Sequence, residues 1–277
     1  MRIGVIGYGV VGSATAEVLR RLGHEVSVSD VSSSRMEAAR LEGYQYLGQN
    51  TSASILFICV PEKNVSDALV SAPDAEIIVI RSSVLTGTTD SLSKQLGRPL
   101  IHMPEFLKEA TALWDSLNPP FVLIGCHNEQ DGQRIGQLFT PLLVPIKLVT
   151  PAISETVKLV LNAYLHTLIS FWNEVHLISK TVGVPSHVIG KLCSQDPRVS
   201  AYGASMHGKP AGGRCLPKDL AQLINLARSK GYVPELLEAV QKTNERVAAH
   251  GHNGHKTIEE QESLLVVMNV SKALRPA

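Results

Sequence analysis

The pattern of apolar and polar positions changes character once along the chain. In its first part, short apolar runs alternate with amphipathic stretches. Ile3 to Ile6 predicts a strand and Val10 to Leu22 a helix; Glu25 to Ser29 predicts the next strand and Ser32 to Leu41 the next helix. Ile55 to Val60 and Ile77 to Ile80 are further β-rich runs, and Pro99 to His102 and Phe121 to Gly125 add two more. Strands interleaved with helices imply right-handed crossovers and a parallel sheet covered on both faces.

The rhythm fades around Thr150-Pro151, where a domain boundary is expected. From Ala152 to Thr181 the pattern is that of one long helix, stopped by Gly183 and Pro185. Shorter helices are expected at Ser186 to Cys193, Lys218 to Lys230 and Pro234 to Ala249. Asp196 to Pro217, rich in Gly, Pro and Ser, predicts an ordered loop. The expectation is an α/β domain over 1–150, an all-helical domain over 151–250 built on the long central helix, and a weakly patterned tail over 251–277. Within that tail Leu264 to Val267 is an apolar run that could dock, and no structure is assigned to it.

Composition narrows the function classes. The chain of 277 residues is 44% hydrophobic and 18% charged, with formal net charge +1, so nothing electrostatic favours a nucleic-acid or membrane partner. Its four cysteines (Cys59, Cys126, Cys193, Cys215) form no Cys-x-x-Cys pair, which argues against a zinc ribbon or disulfide framework and suits a reducing cytoplasm. The N-terminus runs straight into a strand pattern, unlike a signal peptide. The longest apolar region, Leu159 to Trp172, is interrupted by Asn162 and His166 and is too short to span a bilayer. His250, His252 and His255 invite a metal reading, but Gly and Asn around them do not suggest a rigid ligand set, and no metal is expected.

Gly7-Tyr8-Gly9-Val10-Val11-Gly12 is a Gly-x-Gly-x-x-Gly fingerprint between a predicted strand and a predicted helix. Its glycines allow a tight turn, close approach to a pyrophosphate and helix-on-sheet packing, and the helix N-terminus offers amides to the phosphates. The α/β part is therefore expected to be a Rossmann domain. Asp30 ends the second strand, where an acid meets the ribose hydroxyls and repels a 2′-phosphate, so NAD is favoured over NADP. Arg35 is the competing feature, since an arginine there accepts such a phosphate.

Three constellations carry chemistry. Lys158 and Asn162 lie four apart on the long helix and share a face; the ammonium can stabilise an oxygen that gains charge during hydride transfer, while an outward, solvated lysine is the plain alternative. In Gly212-Gly213-Arg214-Cys215-Leu216-Pro217-Lys218-Asp219, the glycines let a substrate approach Cys215. A following helix start and Lys218 would acidify the thiol, and Asp219 could hold a water or accept a proton. A small buried cysteine beside a turn is the plain alternative there, and Cys59 and Cys126 are read that way. Glu105 and Glu109 follow a candidate strand and would share a face if helical.

With Phe57-Ile-Cys-Val-Pro61, Arg81-Ser-Ser-Val-Leu-Thr-Gly-Thr88, Met103-Pro-Glu-Phe-Leu-Lys-Glu109, Ser154 to Ala163, Ile169 to Glu174 and Gly212 to Asp219 in order, the chain resembles the UDP-glucose/GDP-mannose 6-dehydrogenase family. The resemblance implies a four-electron oxidation of a primary alcohol to a carboxylate with NAD. It implies Cys215 as nucleophile, Lys158 and Asn162 as oxyanion stabilisers, Asp219 with a bound water, Glu109 in water activation, and Ser83 where the family has a water-ordering threonine. Val60, Pro61, Ser83, Glu105 and Lys218 are implied as cofactor contacts beside Gly7, Gly9, Val10, Val11, Gly12, Asp30 and Arg35. A homodimer through the long helix is implied too.

The departures bear on substrate. Leu168 stands where the family has a lysine, and Gly208-Lys-Pro-Ala211 lacks an expected aromatic. The tail replaces a third, nucleotide-sugar-binding domain, so a sugar-like or smaller alcohol is expected rather than UDP-glucose itself. Two rivals remain open at this point. One is a two-electron β-hydroxyacid-type dehydrogenase using Lys158 and Asn162 without the cysteine, and the other a non-catalytic NAD-binding scaffold or sensor.

Overall fold

A computed structural model describes residues 1–213 and 215–250; Arg214, the side chain of His250, and the tail with His252, His255 and Leu264 to Val267 lie outside the described residues. The first half follows the alternation read from the sequence: β1 (Arg2–Ile6), α1 (Val10–Arg21), β2 (Glu25–Ser29), α2 (Ser33–Leu41), β3 (Gln45–Tyr46), β4 (Ala53–Ile58), α3 (Val65–Val70), β5 (Ala75–Ile80), α4 (Thr88–Leu96), β6 (Ile101–His102), α5 (Ala112–Leu117), β7 (Val122–Gly125), α6 (Glu129–Phe139) and β8 (Ile146–Val149). The helical half consists of α7 (Pro151–Val182), α8 (Ser186–Cys193), α9 (Cys215–Ser229) and α10 (Glu235–His250).

The strands form one sheet in the order β3-β2-β1-β4-β5-β6-β7-β8. Order reverses between β1 and β4, which opens the crevice that binds ligands in such sheets. Burial explains the composition of the central strands. Ile55, Phe57, Ile77 and Val79 pack on one face, and Leu56, Ile58, Ile78 and Ile80 on the other. A strand covered on both sides has no polar face to show, so it reads as a continuous apolar run.

The chain forms two compact units: Met1–Ala163 with Asp219–Val233, and Tyr164–Lys218 with the segment from Pro234. Helices α7 and α9 each run from one unit into the other.

Four expectations need correction. The sheet is not wholly parallel, because β6 meets β7 antiparallel at His102 and Gly125. Strands β3 and β8 escaped the sequence pattern: the first is two exposed residues, the second a half-exposed edge strand carrying Lys147. Helix α9 begins at Cys215, not at Lys218. Pro217 suggested a boundary there, but a proline in a first turn costs no hydrogen bond. Finally, Glu105 and Glu109 share no helical face, since Met103 to Lys108 is irregular and Glu109 opens a 3-10 turn over Glu109–Thr111.

Candidate active site

The glycine turn is built for a close approach. Gly7 has φ +94°, and a Cβ there would lie 2.5 Å from the Cys59 carbonyl oxygen of β4's end. A Cβ on Gly12 would lie 1.7 Å from the Gly7 oxygen, so helix α1 crosses the turn at a distance only glycine permits. Gly9 is the N-cap of α1 and supplies no side-chain cap, so no side chain competes for the first-turn amides of Val10 and Val11. Such a terminus suits a pyrophosphate. Val60 and Pro61 follow β4, with Ser82 Oγ donating to the Val60 carbonyl at 2.5 Å, and half-buried Ser83 follows β5. These residues line up at the carboxyl ends of the strands flanking the crevice.

Asp30 sits at the end of β2 with its carboxylate nearly buried. It accepts from the Tyr8 amide at 2.7 Å, the Ser32 amide at 2.8 Å and Arg35 Nη1 at 3.3 Å. Burial pushes its pKa up, but the Ser32 and Tyr8 amides and the Arg35 guanidinium outweigh that and hold it below the usual carboxylate range. The Arg35 head also lies 3.9 Å from where a Gly9 Cβ would be, placing it over the glycine turn. The donors fit a dinucleotide, with Asp30 ionised for ribose hydroxyls.

Lys158 is 4% exposed, so the solvated alternative is excluded. Its ammonium donates to the Glu105 backbone carbonyl at 2.7 Å and to Glu105 Oε1 at 3.0 Å, and lies 5.7 Å from the centre of the Phe106 ring. Glu105 is fixed in turn by the Leu107 amide at 2.8 Å. One turn along α7, Asn162 Nδ2 donates to Asp219 Oδ2, and both residues are buried. Thus α7 carries two pairs one turn apart in the first unit, Lys158 with Glu105 from the segment after β6 and Asn162 with Asp219 from α9.

Other residues hold α7 there. Glu155 is fully buried and accepts from the Gly87 amide at 2.6 Å and from both the Thr89 amide and hydroxyl, at 2.7 and 2.6 Å. It thereby caps the start of α4. Burial raises its pKa against these donors. The buried His102 places Nδ1 2.8 Å from Ser154 Oγ and Nε2 3.2 Å from the Ser82 carbonyl; burial lowers its pKa to about 4, so the ring is neutral. Neither residue was singled out in the sequence. The signal for Glu155 was a carboxylate in an apolar helix; for His102 it was a polar residue ending a strand. Arg81 at the end of β5 was also missed. Its guanidinium is buried, with Nε unpartnered, beside a cavity of about 50 Å³ that Glu105 and Thr15 also line.

In the second unit, Cys215 is exposed as the first residue of α9, with exposed Lys218 three positions on. The buried-cysteine alternative therefore fails for Cys215. The loop before it is tied to α10: Asn244 accepts from the Ala211 amide at 2.7 Å and donates to the Ala211 carbonyl at 3.2 Å. Glu109 is exposed, and among the described residues no hydrogen bond draws it to Lys158 or Asp219. Cys59, by contrast, is half-buried, and desolvation pushes its thiol up to about 11.

Residues 49–143 match the NAD binding domain of the UDP-glucose/GDP-mannose dehydrogenase family and residues 152–246 its central domain; residues 2–84 also match the NADP oxidoreductase coenzyme F420-dependent family. The chain is 29% identical to the UDP-glucose 6-dehydrogenase YwqF of Bacillus subtilis, over 88% of this chain and 66% of that protein. It is 28% identical to the GDP-mannose 6-dehydrogenase of Pseudomonas aeruginosa, over 88% and 68%. It thus spans about two thirds of the length of these relatives. The solved UDP-glucose dehydrogenase of Pyrobaculum islandicum has the same fold, with TM-score 0.79 at 24% identity over 88% of this chain and 68% of that one. NAD is the cofactor of the matched domain. Matched through both its Rossmann and its helical parts, the chain belongs to the UDP-glucose/GDP-mannose dehydrogenase family.

Proposed function

We propose that the chain is an NAD-dependent oxidoreductase that carries a primary alcohol through an aldehyde to a carboxylate, using Cys215 as nucleophile. The observation that carries this reading is the buried Lys158 ammonium, fixed by the carbonyl and carboxylate of Glu105 in surroundings that include Phe106. An ammonium held in that way is costly unless used, and it stabilises negative charge on a substrate oxygen most strongly where water is excluded.

NAD held by the glycine turn and Asp30 would supply the hydride acceptor, a fresh oxidised molecule for each of the two oxidations. Lys158 and Asn162 hold the alcohol oxygen, whose proton passes to the water or carboxylate at Asp219. The Cys215 Sγ–H bond then breaks, sulfur bonds to the aldehyde carbon and the proton passes to the former carbonyl oxygen, giving a thiohemiacetal whose oxygen Lys158 steadies. Loss of the second hydride from carbon, with the hydroxyl proton passing to the water or carboxylate at Asp219, leaves a thioester. Water, ordered by Asp219 and Ser83 and activated with help from Glu109, attacks the carbonyl; the C–S bond breaks, and acid and thiol are released. Gly7, Gly9, Val10, Val11 and Gly12 seat the pyrophosphate, and Asp30 the ribose. Val60, Pro61, Ser83, Glu105 and Lys218 complete the cofactor contacts, with Arg35 turned to Asp30.

The substrate class is a primary alcohol on a sugar-like or smaller carrier, and UDP-glucose and GDP-mannose are the first two to try. A reducing cytoplasm suits a working thiol. The protein works as a homodimer through α7. That helix leaves Ile153, Val160, Tyr164, Phe171, Ile178 and Val182 exposed, at steps of seven and four along one stripe.

The test is stoichiometry together with intact mass. Two NADH per substrate, an acid product, and an acyl adduct on wild-type protein that Cys215→Ser lacks would support the reading. One NADH per substrate, with turnover surviving Cys215→Ser, would replace it by the two-electron dehydrogenase. Tight NAD binding without turnover of any alcohol or aldehyde would leave a scaffold.

A further inference from the structure

His166 lies on α7 one turn beyond Asn162, at the same four-residue step that separates Asn162 from Lys158. It is 1% exposed, yet neither ring nitrogen makes a hydrogen bond of acceptable geometry. Leaving a polar group buried and unsatisfied costs roughly 1–3 kcal/mol, and such groups in folded proteins call for a reason. The groups against the ring are the Leu216 backbone from α9 and the Asn244 side chain from α10, neither of which titrates. Burial lowers the pKa of the imidazole and keeps it neutral, with one nitrogen able to donate and the other to accept.

Both neighbours belong to the mounting of Cys215. Leu216 is the next residue in the first turn of α9. Asn244 clasps Ala211, at the other end of the short segment that leads into the cysteine. All of these residues lie in the second unit. An imidazole poised between the two anchors, short of bonding either, is suited to a turn that tightens.

We propose that His166 is a positioning residue for Cys215: it closes hydrogen bonds to the Leu216 backbone and to Asn244, and so fixes the opening turn of α9 under the sulfur. The amides of that turn then face Sγ and stabilise the thiolate. This role rests on Cys215 being the nucleophile. It adds a requirement that the Cys-Leu-Pro-Lys segment alone does not state, a neutral polar side chain at position 166.

The experiment follows the thiol and not turnover. The full chain is prepared as wild type, His166→Leu, His166→Met and His166→Gln, and each is alkylated with iodoacetamide across the neutral and alkaline range. Peptide mass separates the Cys215 adduct from that on exposed Cys193. The midpoint of the Cys215 rate profile is expected to rise by about half a pH unit in the leucine variant. It should return towards wild type with glutamine, which restores a donor and an acceptor. NAD affinity should stay unchanged, because the glycine turn lies in the other unit. The more adaptable methionine variant takes the place of leucine if that one does not fold. A wild-type midpoint in whichever apolar variant folds and binds NAD overturns the proposal, as does a glutamine variant that behaves like the apolar one. The nucleophile reading fails by a separate result, wild-type turnover in Cys215→Ser, which leaves the alkylation profile free to judge His166.

Discussion

The Lys158 ammonium is bound twice by one residue, through the backbone carbonyl of Glu105 at 2.7 Å and its carboxylate at 3.0 Å. The carbonyl belongs to the irregular segment that follows β6, so the contact ties α7 to the carboxyl end of that interior strand as well as pairing charges. Lys158→Met removes the cation and strands a buried carboxylate. Breaking such a pair from one side costs about 3–5 kcal/mol, and loss of an oxyanion donor lowers turnover by roughly 10²–10³. The double variant Lys158→Met with Glu105→Leu should regain most of the stability and none of the turnover. Urea unfolding beside steady-state rates separates the two; a double variant that turns over like wild type would remove Lys158 from the chemistry.

Gly12 offers a sharper steric test. A Cβ at that position would meet the Gly7 oxygen at 1.7 Å, whereas at Gly9 the nearest atoms belong to the flexible Arg35 side chain at 3.9 Å. Gly12→Ala must therefore push α1 off the turn. It should weaken NAD binding at least about tenfold, roughly 1.4 kcal/mol, and lower stability by about 1–3 kcal/mol for overpacking. Gly9→Ala should fold with wild-type stability, so that any loss of NAD affinity there reports the approach of the phosphates. Fluorescence titration with NAD and thermal unfolding of both variants check this.

The contrast between what could be read early and what could not has a physical basis. Strand β2 and helix α8 lie where the patterning put them, and α2 begins one residue past the capping Ser32. In β2 the alternation and the burial agree, with Val26 and Val28 buried between more exposed neighbours. The start of α9 was misplaced because Pro217 is a breaker in most positions but not in a first turn. Lys158 and Asn162 were visible as polar residues on an apolar helix, yet their partners are 53 and 57 residues away, and no local rule names them. Glu155 is the clearer case. Its charge stood in plain view, but its partner Thr89 lies 66 residues away and no local pattern names it.

His102 makes stability depend on pH in a predictable direction. Its ordinary pKa of 6.5 falls to about 4 in the folded protein because the ring is buried. The folded state thus binds this proton less readily than the unfolded chain. The stability it protects is whole above about pH 6.5 and is lost as pH falls through about 4. A shift of that size corresponds to about 3 kcal/mol. His102→Gln can keep contacts to Ser154 and the Ser82 carbonyl without titrating. Denaturation curves collected between those pH values should show wild type losing stability faster than the variant. Histidines common to both proteins cancel in the difference, so parallel curves would mean that His102 is not the group involved.

The exposed stripe on α7 predicts the assembly state. Ile153, Val160, Tyr164, Phe171, Ile178 and Val182 all stand in solvent in the single chain, Phe171 at 57% and Val182 at 64% exposure. A continuous apolar row of this kind on a helix surface marks a contact surface. The repeat of seven and four is that of a helix seam, so a second copy of the same helix presents a matching row. A glutamate at Phe171 would bury an unpaired charge in that seam in each protomer, twice over by symmetry, which costs more than a surface substitution does. Phe171→Glu should therefore sediment as a monomer at concentrations where wild type is a dimer. Lys180→Glu, a charge change on the same helix off the stripe, should leave the assembly intact. The glycine turn lies away from position 171 in sequence and in a different unit, so NAD affinity should survive in the monomer. A wild-type chain that sediments as a monomer at every concentration tried would show that the stripe serves some other contact.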